Sequence, residues 1–379
     1  MSDDSGNDPP PRLHESGANP SQPESGQRRT GWWIIGLAVL LLMGFLGFSL
    51  LQAVVQISGS FSPPEPGLEK YREIHVRDGN TDVRIAIIKI EGVISSYSFD
   101  GTGQNMVTRV RDQFNLAGRD PSVKAVLLKV DSPGGEVMAS DEIHKIIEKF
   151  TKETNRPVIC SMAGLAASGG YYVAAPCEYI VANELTLTGS IGVIMQTVNV
   201  HGLLEKVGAR SYTITSGKNK DAMSSFKSPA DIEANKDEEL FNELVQFYFK
   251  RFKNIVKTGR KASQVYNNDK NRSDKGQPLA ADWEELADGR VITGVQAHEK
   301  GFVDKLGNFD VAVREAERLI NLKEGETAQL VRYAAPFDLS GLLRFFVKAE
   351  DPKLRVDIGV DVPRLDPGRP YFLSPVIYK

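Results

Sequence analysis

The chain has 379 residues, enough for one large domain or two ordinary ones. It is 41% hydrophobic and 25% charged, the balance of an ordinary globular protein, and its formal net charge is −3. With no clustered run of Lys and Arg there is no electrostatic footprint for phosphate, so nucleic acid is not an expected partner.

Residues 1–30 are rich in Ser, Pro, Gly and Asp. They hold too little apolar surface to offset the entropy of ordering, and a disordered tail is expected. Residues 31–64 then carry no charge at all. Residues 31–55 are expected to form one transmembrane helix, since the apolar run is long enough to span a bilayer at helical rise. Trp32 and Trp33 sit where an interfacial aromatic belt would be. A cleaved signal peptide would need an A-x-A-like site, and the nearest stretch, Ser58-Gly59-Ser60, fits poorly. An uncleaved anchor is the better reading. Arg28 and Arg29 precede the run, so the positive-inside rule places the tail in the cytoplasm and the bulk of the chain outside. Residues 56–82, with SGSFSPPEPG at 58–67, read as a linker.

The folded part is expected over residues 83–331, with 332–379 a C-terminal extension that gives no clear structural signal. Residues 84–94 (RIAIIKIEGVI) are β-branched and predict a strand. A helix-like stretch follows at 106–116. Residues 123–130 (VKAVLLKV) predict a second strand, ending in the turn and helix start Asp131-Ser132-Pro133-Gly134-Gly135. Ile143, Ile146, Ile147 and Phe150 have helical spacing. Residues 157–161 predict a third strand, leading to Ala166-Ala167-Ser168-Gly169-Gly170 and another helix, and residues 179–182 a fourth. Strands alternating with helices indicate βαβ crossovers and an α/β fold with a mainly parallel sheet. Phe241, Leu244, Val245, Tyr248, Phe252 and Ile255 fall on one helical face and suit core or subunit packing. Cys160 and Cys177 lie in apolar surroundings and are expected to be buried free thiols; they make no metal pattern.

Two places join a strand end, a glycine turn and a helix start: 132–135 and 168–170. Backbone N–H groups there lack intrahelical partners, and two such places converging on one point would make an oxyanion hole. Ser168 is by itself a candidate N-cap or a candidate nucleophile. None of the five histidines, His14, His75, His144, His201 and His298, lies in a comparable turn, so a Ser-His-Asp triad has no support. A lysine serves as base only if burial keeps it neutral. Lys218 and Lys220 are candidates, each also readable as a solvated loop charge. Ser224–Lys227 matches S-x-x-K and Lys257-Thr258-Gly259 matches K-T-G, but S-D-N is absent and such short matches arise by chance.

The ordered stretches VDSPGGEV, MAGLAASGGYYVAAPCEYIVA, TGSIGV, SGKNKDAMS and RVITGVQAHEKGFVDKLG closely resemble the signal peptide peptidase A family, from about residue 84 to about 317. The resemblance implies a Clp protease/crotonase-like repeated ββα superhelix. It implies Ser168 as nucleophile, Lys220 as general base, Ser190 as the residue orienting that lysine, and the Gly135 and Gly169 amides as the oxyanion hole. It implies no metal or organic cofactor, peptide substrates such as remnant signal peptides and misfolded exported proteins, and a homo-oligomer. With residues 31–55 in the bilayer, the expected location is the bacterial cytoplasmic membrane, single-pass, with the catalytic domain on the far side. Two other readings are an acyl-CoA enzyme on the same superfold and a catalytically inactive membrane scaffold. The first is disfavoured because acyl-CoA is cytoplasmic, the second because both Ser168 and Lys220 are present.

Overall fold

The computed structural model describes residues 41–45, 71–97, 104–269, 276–334 and 369–374. The chain divides into two units, Met1–Gly67 and Leu68–Lys379. In the first, only residues 41–45 are described; they are helical and exposed. The tail 1–30 and most of the expected span 31–55 therefore lie outside the described residues. No helix among the described residues is long and apolar enough to cross a membrane.

The second unit is a mixed α/β fold built on a mainly parallel sheet. Its strands are β1 (Arg72–Arg77), β2 (Arg84–Glu91), β3 (Val123–Ser132), β5 (Val158–Ala167), β6 (Tyr179–Ala182), β7 (Leu187–Gly189), β8 (Val291–Thr293), β9 (Lys305–Leu306) and β10 (Gln329–Ala334). The spatial order is β1-β10-β2-β3-β5-β6-β9, with β7 beside β5 and β8 beside β7. All neighbours are parallel except β1 with β10 and β7 with β8. A second, two-stranded sheet pairs β4 (Gly134–Glu136) with β11 (Tyr371–Leu373).

Both faces of the main sheet are covered, which is why its strands read as unbroken apolar runs. On one face Ala86, Ile88 and Ile90 of β2 and Val126, Leu128 and Val130 of β3 pack in one core with helices α1 (Met106–Arg119), α2 (Val137–Thr154) and α3 (Gly169–Ala174). On the other, Ile85, Ile87, Leu127, Ile159 and Val181 pack against Ala312, Val313, Ala316 and Leu319 of α8 (Phe309–Leu319). Each such isoleucine, wholly removed from water, contributes on the order of 1.5–3 kcal/mol. Helix α1 starts at Asn105, whose side-chain oxygen accepts the Thr108 N–H at 2.8 Å. Its buried residues Val107, Val110, Phe114 and Ala117 keep the helical spacing seen in the sequence. The remaining helices are α4 (His201–Lys206), α5 (Pro229–Asn235), the long α6 (Asp237–Asp269) and α7 (Gly294–Glu299).

The structure departs from the sequence reading in several places, one of them β11, which lies in the extension that gave no signal. Strand β1 lies inside the segment read as linker; it is an edge strand of charged, half-exposed residues, REIHVR, with no apolar run to announce it. Strand β5 runs six residues past the expected end, through MAGLAA, which pairs with β3 and β7. Gly134 and Gly135 belong to a short strand rather than a simple turn.

Cys160 and Cys177 are both buried free thiols. Beside Cys177, Glu178 is buried and accepts the Val158 N–H at 2.8 Å. Burial raises its carboxyl to about 7, against the lowering effect of that hydrogen bond. Below its unfolded value near 4.5 both states are protonated and nothing is lost. As pH rises toward 7 the unfolded chain ionises first and the native state loses stability. Glu178→Gln removes this loss while keeping an acceptor for Val158. Denaturation midpoints should therefore favour the variant at pH 8, relative to its standing at pH 4, by on the order of 2–3 kcal/mol.

Candidate active site

Ser168 stands between β5 and α3, at the N-cap of the helix, with φ 53° and ψ −116°. A positive φ is uncommon for a residue with a Cβ, and it persists only where the surroundings enforce it. Here the Ser168 N–H donates to the Gly189 carbonyl at 2.8 Å, and its own carbonyl accepts the Tyr172 N–H at 2.8 Å. Thr188 Oγ1 donates to the Ala166 carbonyl at 2.6 Å and ties β7 to β5 just before the serine. The residue is 1% exposed, and its buried hydroxyl has no hydrogen-bond partner among the described residues. A buried hydroxyl left without a partner costs free energy, a cost that calls for a reason such as a catalytic role.

The two glycine turns meet at this point. A methyl group on Gly169 would stand 2.7 Å from Ser140 Oγ and 3.1 Å from the Gly135 nitrogen. At Gly134, where φ is +101°, a methyl would stand 2.7 Å from the Gly169 nitrogen. The backbone can approach this closely only because both turns lack side chains. Ser132 Oγ accepts the Gly134 N–H at 3.1 Å and Ser140 Oγ donates to the Glu136 carbonyl at 2.9 Å, fixing the first turn. The sequence reading named the turns 132–135 and 168–170, and the resemblance singled out Gly135 and Gly169; neither gave Ser132 or Gly134 a role of its own, and Ser140 and Thr188 were not reached. These four act on the backbone, and only the S-x-G-G spacing hinted at Ser132 and Gly134.

Ser190 follows β7 as Ser168 follows β5. The parallel register sets Ala167 beside Gly189, so the two serines are the next residues on neighbouring strands. Ser190 is buried, has φ 49°, and donates its N–H to the Arg290 carbonyl at 2.8 Å. The structure thus brings together Ser168, Ser190, Gly135 and Gly169.

Lys220 is not brought to them. It is exposed, in a turn closed by its N–H on the Gly217 carbonyl at 3.1 Å, and Lys218 in the same turn is exposed as well. Lys227, of the S-x-x-K match, is buried; its Nζ donates to Asp237 at 2.7 Å and Asp221 at 3.3 Å. The Asp237 hydrogen bond raises its pKa and holds it protonated, which unfits it as a base. The K-T-G match lies in the middle of α6, where Gly259 packs on the Ala175 carbonyl, and forms no strand. His144 is buried in α2, edge-on to Tyr172 at 5.5 Å.

A serine on a strained strand-to-helix turn, where two glycine turns converge at the end of a parallel sheet, is an arrangement that can seat a nucleophile beside backbone oxyanion donors. The chain belongs to peptidase family S49, whose family model matches residues 151–323, a range holding Ser168, Ser190 and Lys220. It is 37% identical over 256 residues to an Enterococcus faecium protein named for signal peptide peptidase SppA, covering 65% of this chain and 67% of that protein. It is 33% identical over 254 residues to Protease 4 of Haemophilus influenzae, covering 66% of this chain but 37% of that protein. A Synechocystis protease is 33% identical over 244 residues, covering 64% and 76%. The chain therefore spans little more than a third of the Haemophilus relative. Among solved structures, a ClpP1 variant of Listeria monocytogenes is 17% identical with a TM-score of 0.32, over 60% of this chain and 93% of that one.

Proposed function

We propose that the protein is a membrane-anchored serine endopeptidase using a Ser168–Lys220 dyad, with the lysine delivered by a neighbouring copy of the chain. The observation that carries this is the contrast between the two residues. Ser168 is buried with an unpartnered hydroxyl, and Lys220 is exposed on an arm that covers itself poorly. On that arm Tyr212 is 84% and Ile214 99% exposed, and Leu203 and Val207 are exposed too. Apolar surface of this kind marks a contact with another protein. Covered by a second copy, a lysine loses water and its neutral form is favoured, which is the form a base requires. We read the β3–β4–α2 unit as one turn of a repeated ββα superhelix, the scaffold of such assemblies.

In this mechanism neutral lysine takes the Ser168 proton as the hydroxyl attacks the peptide carbonyl. The Gly135 and Gly169 amides stabilise the oxyanion. The lysine passes its proton to the leaving amine, then draws one from water for deacylation. Ser190, beside Ser168, orients the amine. Remnant signal peptides and misfolded exported proteins are the proposed substrates, in keeping with the names of the relatives and the uncharged run 31–64. Mixing Ser168→Ala with Lys220→Ala tests the sharing of the site. Random reassembly should restore activity to about a quarter of wild type, because one site in four then has both groups intact. Activity that stays at background in a re-formed mixed oligomer means the lysine comes from the same chain.

The anchor is proposed to hold the catalytic unit outside the cytoplasm. Protease added to intact spheroplasts should digest residues 71–334 and spare an N-terminal tag. Digestion only after lysis would reverse the orientation.

A further inference from the structure

Of the described residues 192–231, Lys227 alone is buried. A lysine is rarely hidden unless its charge is met, and an apolar side chain would be the ordinary choice for the one covered place in so exposed a stretch. Here the charge is met twice. The ammonium donates to Asp237 Oδ2 at 2.7 Å and to Asp221 Oδ1 at 3.3 Å. Asp221 follows Lys220 directly, and Asp237 is the first residue of α6. The Lys227 side chain therefore joins the turn that carries Lys220 to the start of a 33-residue helix.

A second tie runs beside the first. The same Asp237 oxygen accepts the Met223 N–H at 3.0 Å. Met223 has φ 55°, a conformation that a residue with a Cβ keeps only where its surroundings hold it. The turn's own backbone bonds reach back three residues each, from Lys220 to Gly217, Ala222 to Asn219 and Ser224 to Asp221, at 3.0–3.3 Å. Bonds this local shape a turn but do not place it. Placement comes from outside. The Val200 N–H donates to the Ser225 carbonyl at 2.8 Å, and Asn199 Nδ2 donates to the Lys227 carbonyl at 2.9 Å. Helix α6 is fixed in turn to the helix that Ser168 caps: Phe252 tilts against Tyr172 at 5.0 Å, and Arg251 Nε donates at 2.9 Å to the Asp141 oxygen that also accepts the Tyr172 hydroxyl at 2.7 Å.

We propose that Lys227 and Asp237 are positioning residues for the base Lys220, setting its turn on the frame of α6. The inference deepens the Ser168–Lys220 reading and rests on it. The lysine of the S-x-x-K match then has a task other than taking a proton: it holds the lysine that does. A base presented on an exposed turn needs such an anchor, because a reacting group displaced by about 1 Å can cost on the order of 100-fold in rate.

The test follows fluorophosphonate labelling of Ser168 in the full chain. Lys227→Met keeps the apolar stem and drops the cation, and it should label about 100-fold more slowly than wild type. Lys227→Arg can still bridge the two carboxylates and should recover at least about tenfold of that loss. If Lys227→Met does not fold, Asp221→Ala takes its place, since it leaves the Lys227–Asp237 pair whole and cuts only the tie to the turn. Asp221→Asn, which keeps an acceptor, is then its rescue. Mixing the variants shows which half of the site is lost. In Lys227→Met mixed with Ser168→Ala, about a quarter of the sites should label at the wild-type rate, because those join an intact serine to an intact lysine turn. Mixed with Lys220→Ala, labelling should stay slow, because both defects fall on the lysine half. Wild-type labelling of Lys227→Met, equal loss in Lys227→Met and Lys227→Arg, or recovery on mixing with Lys220→Ala overturns the inference. So does a lack of recovery with Ser168→Ala where Lys220→Ala does recover with it. If Lys220→Ala and Ser168→Ala do not restore each other, only the sharing of the site fails, and the comparison of Lys227→Met with Lys227→Arg decides the inference. No labelling of Ser168 in wild type removes the peptidase reading and the inference with it.

Discussion

Ser168→Ala should lose at least about 1,000-fold in peptide hydrolysis, the scale of a removed nucleophile, with no loss of stability. The second half is the more specific. Among the described residues the hydroxyl makes no hydrogen bond that its removal would break. The turn is held through the backbone, by the Gly189 carbonyl and the Tyr172 N–H, and alanine keeps both contacts. Alanine also has a Cβ, so the positive φ is no more strained than before. Deleting a buried polar group without a partner is neutral or stabilising. Peptidase assays and denaturation midpoints on the same preparations check both. A variant that cleaves peptides at the wild-type rate contradicts the assignment.

Lys220→Ala should be nearly as damaging to activity, by roughly 1,000-fold, since a serine hydroxyl without a base is a poor nucleophile at neutral pH. Its side chain is exposed in the single chain, so folding should be unaffected. Two neighbouring lysines separate this from a general charge effect. Lys218→Ala, in the same exposed turn, should keep full activity. Lys227→Ala should instead lose stability, because it leaves the Asp237 carboxylate without its cation and with only the Met223 N–H as a donor. Wild-type activity should rise with pH, because the base works only once its proton is gone. A folded but inactive Lys218→Ala would move the base to that residue.

The runs at 84–94 and 123–130 were legible because parallel strands covered on both faces carry little but branched apolar residues. Strand β1 was not, since an edge strand half in solvent can be built from REIHVR. The extension of β5 through MAGLAA was hidden for another reason: it holds no β-branched or aromatic residue, the types by which a strand is read. The two glycine turns and Ser168 could be found from their pattern. Their convergence could not, because it depends on the register of β3 and β5 across the sheet. Ser190 shows the limit most clearly. It lies 22 residues beyond Ser168 and becomes its neighbour only through the pairing of β5 with β7. Its role and that of Lys220 entered through family resemblance, which knows of an assembled site. Strand β11 left no local signature, because its place is set by the edge of β4 rather than by its own pattern.

The central claim is that Ser168 is a nucleophile whose reactivity depends on Lys220. Mass spectrometry of the full chain after fluorophosphonate treatment tests it most directly. The adduct should form on Ser168 in wild type, be absent from Ser168→Ala, and form far more slowly in Lys220→Ala. An adduct on another serine, or equal labelling of Ser168 with and without Lys220, would contradict it.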